Sequence, residues 1–162
     1  MMEEYKISPI GYVQTDAPIK TIKEDPDTVT SKLIIKGEFV DGLVGLNGFS
    51  HIIILSFLSE LRAFERNAMQ VKMRRFIKYG FTLEELPLIG VFASDSPNRP
   101  NPIAISIARL LQIDNNVLTV KGLDIFNNTP ILDIKPYTPE RVVSGLSFPP
   151  WYENLISKIR GK

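Results

Sequence analysis

The chain contains no cysteine, which excludes disulfides, thiolate metal sites and a cysteine nucleophile. It has a single histidine, His51, so a histidine-rich metal site is excluded, and no carboxylate spacing suggests another. No metal is expected. An excess of charge of one sign is also lacking: 19 Lys and Arg stand against 18 Asp and Glu, leaving a formal charge of +1. No global basic field announces a nucleic-acid partner, so any RNA contact has to come from a local patch. Long apolar runs are missing too. The longest, Ile52 to Leu58, is interrupted by Ser56 and is far too short to span a bilayer. Met1-Met2-Glu3-Glu4-Tyr5 lacks the basic stretch and apolar run of a secretory signal. Taken with the absent cysteine, this predicts a cytoplasmic protein without membrane contact, although missing cysteine alone does not exclude secretion.

What is present is apolar residue content, 44% of 162 positions, enough to build one core and one domain over residues 1–162. Strand signals dominate. Lys6 to Gln14 reads as a first strand broken at Pro9 and Gly11, and the polar stretch Thr15 to Ser31 as a long surface loop. Lys32 to Val40 resumes strand spacing, and Gly37, Gly42, Gly45 and Gly48 mark a turn-rich connection to a buried strand at Ser50 to Leu58. Leu61, Phe64 and Ala68 are spaced for a short helix. Met69, Val71 and Met73 then alternate with Gln70, Lys72 and Arg74, predicting a strand whose polar face carries Lys72 and Arg74.

Thr82-Leu83-Glu84-Glu85 has capping-box spacing and predicts one helical turn, followed by a strand from Pro87 to Ser94. Asn115-Asn116 joins Ile103–Ile113 to Val117–Leu123 as a hairpin, and the turn at Asn127 to Pro130 leads into Ile131–Ile134. Pro149-Pro150 precedes a helix from about Trp151 to Ile159, whose Trp151, Leu155, Ile156 and Ile159 form a stripe for the chain's own body or for a partner chain. Many short strands with turns between them predict a mainly β fold, a small β-barrel with short helices and a C-terminal helix.

Two segments concentrate chemistry. In Gly90 to Ile103, the prolines Pro97, Pro100 and Pro102 hold the backbone extended and fix Arg99 and Asn101. Arg99 offers a planar donor fork and Asn101 a donor–acceptor pair, suited to an adenine edge, a carboxylate or a phosphate. The plainer alternative is a stiff connection with Arg99 paired to a carboxylate. In Gly122 to Tyr137, Asp124 and Asp133 flank a turn, Phe126 can stack on a base, and Asp124 can accept hydrogen bonds from ribose hydroxyls. Here the plainer alternative makes Asp124 and Asn127 turn-formers and pairs Asp133 with Lys135. Lys72, Arg74, Arg75 and Lys78 form the one dense basic run, either a solvated face or an RNA-phosphate contact. His51 reads as a strand-end packing residue in preference to a catalytic base.

Phe92-Ala93, Ser96-Pro97, Arg99-Pro100-Asn101-Pro102-Ile103 and Ser106 are similar to the signature of the tRNA-methyltransferase O family, also called TsaA-like or YaeB-like. Leu123-Asp124, Thr129-Pro130 and Leu132-Asp133-Ile134-Lys135-Pro136-Tyr137 resemble a second family block. Ser8-Pro9-Ile10-Gly11 and Gly42-Leu43 through Phe49-Ser50-His51 resemble two more, in family order. The resemblance implies a β-barrel methyltransferase, in place of the Rossmann type, that tends to form homodimers and binds S-adenosylmethionine. The activity it implies is methylation of the amino nitrogen of threonylcarbamoyladenosine beside the tRNA anticodon. It also implies that Arg99, Asn101, Pro102, Ile103 and Ile105, with Leu123, Asp124, Ile125, Phe126 and Asn127, line the cofactor site. Asp124 and Asp133 are the candidates for a catalytic base.

The chain departs from the family pattern at Asp95, where Arg is usual, at Ser59 and Glu60, where His followed by Gln or Arg is usual, and at Ala104, where Gly is usual. Two other functions therefore stay open: methyl transfer to a small molecule that is not tRNA, and a non-catalytic module that binds S-adenosylmethionine.

Overall fold

The computed structural model describes residues 5–59 and 68–161. The short helix expected from Glu60 to Ala68 falls almost wholly outside them. The chain divides into two compact units, Met1–Glu60 with Pro102–Tyr137, and Leu61–Asn101 with Thr138–Lys162.

The first unit is a closed barrel. Its strands are β1 (Gly11–Gln14), β2 (Thr30–Ile35), β3 (His51–Phe57), β6 (Ile103–Asp114), β7 (Val117–Lys121) and β8 (Pro130–Pro136). They run in the order β1-β2-β7-β6-β3-β8, every neighbouring pair antiparallel. Alternation decides which side chains fill it. Val13, Leu33, Ile52, Ile54, Leu118, Val120 and Ile131 point inward and are fully buried. Each contributes about 1.5–3 kcal/mol by leaving water. The closing pair is short, Gly11 opposite Ile131 and Tyr12 opposite Pro130.

Turn chemistry matches the sequence. Asn115 takes φ 51° in the β6–β7 hairpin and Asn128 takes φ 62° before β8, left-handed positions that asparagine tolerates. Asn116 then ties the hairpin to the end of β2, its amide donating to the Ile35 carbonyl at 2.8 Å.

Three expectations for this unit need correction. The first strand, expected from Lys6, forms only from Gly11 to Gln14. The Thr15–Ser31 stretch is not one loop: it holds α1 (Ile19–Glu24), a 3-10 turn at Pro26–Thr28 and the start of β2 at Thr30. Ile22 and Val29, 2% and 3% exposed, are the apolar anchors that the polar composition hid. The strand expected to reach Val40 stops at Ile35, and Gly37–Leu43 coils into a 3-10 helix.

The second unit has a two-stranded ribbon, β4 (Gln70–Lys72) with β5 (Leu88–Gly90), and the C-terminal helix α2 (Pro150–Arg160). Leu155 is buried on a cluster of Met73, Phe76, Phe81, Leu86 and Ile89, with Trp151, Ile156 and Ile159 packed around it. Phe76 meets Phe81 and Tyr152 edge-on, at centroid distances of 6.0 and 6.2 Å. The C-terminal stripe is therefore covered within its own unit.

Here too the sequence reading shifts. Arg74 does not share a strand face with Lys72; it opens a 3-10 helix, Arg74–Tyr79, which turns Phe76 into the cluster and ends at Gly80 with φ 88°. Likewise Val91–Ala93 leaves the strand for a 3-10 turn. The Thr82–Glu85 box does form. Thr82 N–H donates to the Glu85 carboxylate at 2.8 Å and Glu85 N–H to the Thr82 hydroxyl at 3.4 Å, but they close a turn without a helix following.

Candidate functional site

The barrel is not uniformly apolar inside. Among the described residues the buried polar side chains are Thr15, Ser31, Ser56, Ser106 and Thr129. All sit toward one end, where β1 and β3 finish and where β2, β6 and β8 begin. The hydroxyls of Ser31 and Ser56 have no protein partner there among the described residues. The segment from Gly122 to Thr129 closes this end. Leu123 and Ile125, 0% and 4% exposed, plug the core, so only their backbone is left to face a ligand, while Asp124 and Phe126 point the other way.

Three contacts fix that segment. Ser106 Oγ, on the inner face of β6, donates to Asp124 Oδ1 at 2.6 Å. Asn127 Oδ1 accepts from the Thr15 N–H at 3.0 Å, and Asn128 N–H donates to the Val13 carbonyl at 2.8 Å. Asn127 is thus a clasp between the loop and the end of β1. Asp124 is exposed, and its second oxygen has no protein donor among the described residues. Phe126 is half-buried, with the Lys23 ammonium 5.6 Å from its ring centroid. Ile103 is half-buried and Ile105 is 71% exposed on the outer face of β6, while Pro102 is buried.

Asp133 lies elsewhere. It is on the outer face of β8, opposite Leu55, and Lys135 Nζ holds it at 2.6 Å. It lines a cavity of about 470 Å³ with Ile10, Ile35, Phe39, Leu43 and Phe49, at the barrel end away from the Asp124 loop. The two aspartates do not converge. His51 begins β3 at that same far end, exposed, with its Nδ1 3.0 Å from Ser50 Oγ.

The remaining predicted residues belong to the second unit. Arg99 neither pairs with a carboxylate nor stands free. Its guanidinium donates to the carbonyls of Val91 and Ser94, at 2.9 and 2.7 Å, folding the Pro-rich segment onto its own 3-10 turn. Its Nε–H is buried without a partner among the described residues. Asn101 is exposed. In the basic run, Lys72 donates to the Leu83 carbonyl at 2.7 Å, Arg75 pairs with Asp95 at 2.9 Å, and Lys78 lies 5.1 Å from the Tyr79 ring centroid. Asp95, the departure from the family pattern, is thus the partner of a neighbouring cation.

What sequence reading missed is Ser106 as the partner of Asp124. Its place within the signature was visible, but only the inward turn of β6 shows what its hydroxyl meets.

The residues at the polar end suit the chemistry of S-adenosylmethionine: an unshared carboxylate oxygen for ribose hydroxyls or an amino group, and an aromatic face beside it. The sequence profile described as the tRNA-methyltransferase O N-terminal domain matches residues 13–141. A probable S-adenosyl-L-methionine-binding protein of Pyrococcus abyssi is 35% identical, over 93% of this chain and 78% of that protein. An S-adenosyl-L-methionine-binding protein of Archaeoglobus fulgidus is 34% identical, over 83% of this chain and 90% of that protein. A tRNA (adenine(37)-N6)-methyltransferase of Rattus norvegicus is 30% identical, over 80% of this chain but 30% of that protein. A crystal structure of TrmO superposes with TM-score 0.68 and 27% identity, covering 91% of this chain and 62% of that one. The chain thus spans about three fifths of the solved TrmO chains it matches.

The class is that of S-adenosylmethionine-dependent methyltransferases built on a β-barrel. Within it, the chain belongs to the tRNA-methyltransferase O family.

Proposed function

We propose that this protein transfers a methyl group from S-adenosylmethionine to the amino nitrogen of a modified adenosine, threonylcarbamoyladenosine, beside the tRNA anticodon, in the cytoplasm. The single observation that carries the reading is the Ser106–Asp124 contact, which fixes an acid at the polar end of the barrel inside a family segment. Rat and mouse relatives named tRNA (adenine(37)-N6)-methyltransferase support the acceptor.

When bound, S-adenosylmethionine supplies an electrophilic methyl carbon. The chain's task is then mainly alignment and exclusion of water. Asp124 anchors the donor through its free oxygen, or accepts the proton that the acceptor nitrogen gives up. Ser106 keeps the carboxylate in one orientation for either duty. Phe126 presents a ring for stacking, and Lys23 beside it adds a positive charge toward phosphate or carboxylate.

Tritium transfer from labelled S-adenosylmethionine to tRNA lacking the modification tests the reading. Incorporation at adenosine supports it. Transfer only to small metabolites, or tight cofactor binding without turnover, replaces it by one of the two other functions. The second has its own observation, since the archaeal relatives are named only for binding.

A homodimer is part of the same proposal, though not through α2. The outer wall of β3 and β6 leaves Ile105 and Ile107, 71% and 51% exposed, beside half-buried Ile53 and Leu55, and offers the larger apolar face.

A further inference from the structure

The basic run that stands out in the sequence is largely engaged in local contacts, whereas the barrel assembles a cationic surface that the sequence conceals. Lys32, Lys121 and Arg109 are widely separated along the chain, yet the register makes them neighbours. Arg109 stands directly opposite Lys121, Lys121 opposite Thr30, and Lys32 two residues along from Thr30 on the same face. Their neighbours Leu33, Ser31, Val120 and Ala108 are buried, so alternation turns all three cations outward, and all three are exposed. His51 extends the row beyond Arg109. Three strands about 4.8 Å apart, with Lys32 offset by two residues, place the row within about 12 Å along the backbone.

None of the three forms an ion pair among the described residues. The ladder's nearest acid, Asp114, sits at the hairpin end of β6, opposite Val117. At the other end Asp27 lies beside Gly122, next along from Lys121, and is in no ion pair among the described residues. Like charges directly opposite one another in a sheet are destabilising. Arg109 and Lys121 hold that arrangement with no acid between them. The interleaved side chains, Gln14, Thr30, Thr119 and Gln112, are hydroxyls and amides, which donate to phosphate oxygens as readily as the cations do. Further back on the same strand as Arg109 is Ser106, which holds Asp124.

We propose that the outer wall formed by Lys32, Lys121 and Arg109 is the phosphate-binding surface that seats RNA on this protein. The inference rests on the tRNA reading above and names where that substrate's backbone lies. A formal charge of +1 provides no long-range attraction, so affinity has to come from such a patch, and this one is free of ion pairs among the described residues and beside the candidate site. In the other basic run, Arg75 is tied to Asp95 and Lys72 to the Leu83 carbonyl.

The test compares wild type, the triple variant Lys32→Gln/Arg109→Gln/Lys121→Gln and the double variant Arg74→Gln/Arg75→Gln for binding to unfractionated tRNA across a salt series. The expected result is a slope of log K against log salt lower by about 2–3 in the triple variant, near one unit or somewhat less for each phosphate that is no longer neutralised. The double variant should change little. Melting temperature and S-adenosylmethionine affinity should hold in the triple variant, since removing like-charge opposition does not unfold a sheet. Wild-type slope and affinity in the triple variant would overturn the surface while leaving the tRNA reading standing. Absence of salt-dependent tRNA binding in the wild type would overturn both. Displacement of tRNA by polyglutamate as effectively as by duplex RNA would also overturn it, by making the wall a general acceptor of acidic chains.

Discussion

Ser106 Oγ stands 2.6 Å from Asp124 Oδ1, so a buried hydroxyl on the barrel's inner wall grips an exposed acid on the loop that closes the barrel. The contact orders the carboxylate without neutralising it, since a hydroxyl donor leaves the charge in place. Asp124→Asn keeps the size and removes the charge, and is expected to lower S-adenosylmethionine affinity at least tenfold. Ser106→Ala should lower it severalfold and cost about 0.5–1.5 kcal/mol of stability. Calorimetric titration with the cofactor and its demethylated product measures the first effect, and thermal melting the second. Equal affinities in all three proteins would remove Asp124 from the site.

Arg99 is expected to act on the structure of its segment before it acts on any ligand. Its donors reach the carbonyls of Val91 and Ser94; Val91 O also accepts from the Ser94 N–H and hydroxyl, so Arg99→Ala strips the Ser94 carbonyl of its donor and should destabilise by about 1–3 kcal/mol. Both bonds come from one nitrogen, Nη2, so Arg99→Lys, whose single ammonium carries three donors on a shorter side chain, should fall between. Hydrogen exchange across residues 91–101 distinguishes this from a ligand role. Faster exchange in the Arg99→Ala protein without cofactor supports the clamp, and unchanged exchange argues against it.

Gly11 is required by packing. A Cβ there would collide with the Ile34 carbonyl oxygen and lie 3.1 Å from the Ile35 Cα, where Gly11 pairs with Ile35 of β2. Gly11→Ala should therefore push β1 off the barrel, at about 1–3 kcal/mol or somewhat more, at the short seam with β8. Gly37→Ala, with nothing near its Cβ position, is the control and should melt close to wild type. Equal melting temperatures for the two variants would refute the steric account.

How far the sequence foretold this structure depended on whether the signal was local. Asn115, Asn128 and the Thr82–Glu85 spacing encode their turns within a few residues, and each forms. The barrel strands followed from short apolar runs set between turn signals, and α2 from its apolar stripe. Failures came where a few buried residues outweighed composition. Ile22 and Val29 organise a segment that reads as loop, and Phe76 bends the chain away from the strand expected at Arg74. Among the site residues, the signature named the segments but not the roles. Asp124 and Asp133 look equivalent along the chain, yet a bulge in the β3–β8 pairing turns Asp133 onto the outer wall beside Lys135, while the Gly122–Thr129 loop holds Asp124 against Ser106. Lys32, Lys121 and Arg109 had no local signal at all, because only strand register makes them adjacent.

The oligomer prediction changes surface for a physical reason. Leu155 is 5% exposed within its own cluster, so Leu155→Ala should cost about 2–5 kcal/mol as a cavity and leave the assembly state untouched. Ile107 is 51% exposed on the wall of β6, opposite Ile53, and contributes little to the barrel interior. A charge there should spare folding and disfavour any copy seated on that wall. Light scattering is expected to give twice 18.3 kDa for the wild type and for Leu155→Ala below its melting temperature, and 18.3 kDa for Ile107→Asp. A wild-type monomer at high micromolar concentration would end the homodimer proposal. A dimer that survives Ile107→Asp but is lost in Leu155→Ala would return the interface to α2, against the packing of Leu155 on Phe76 and Phe81.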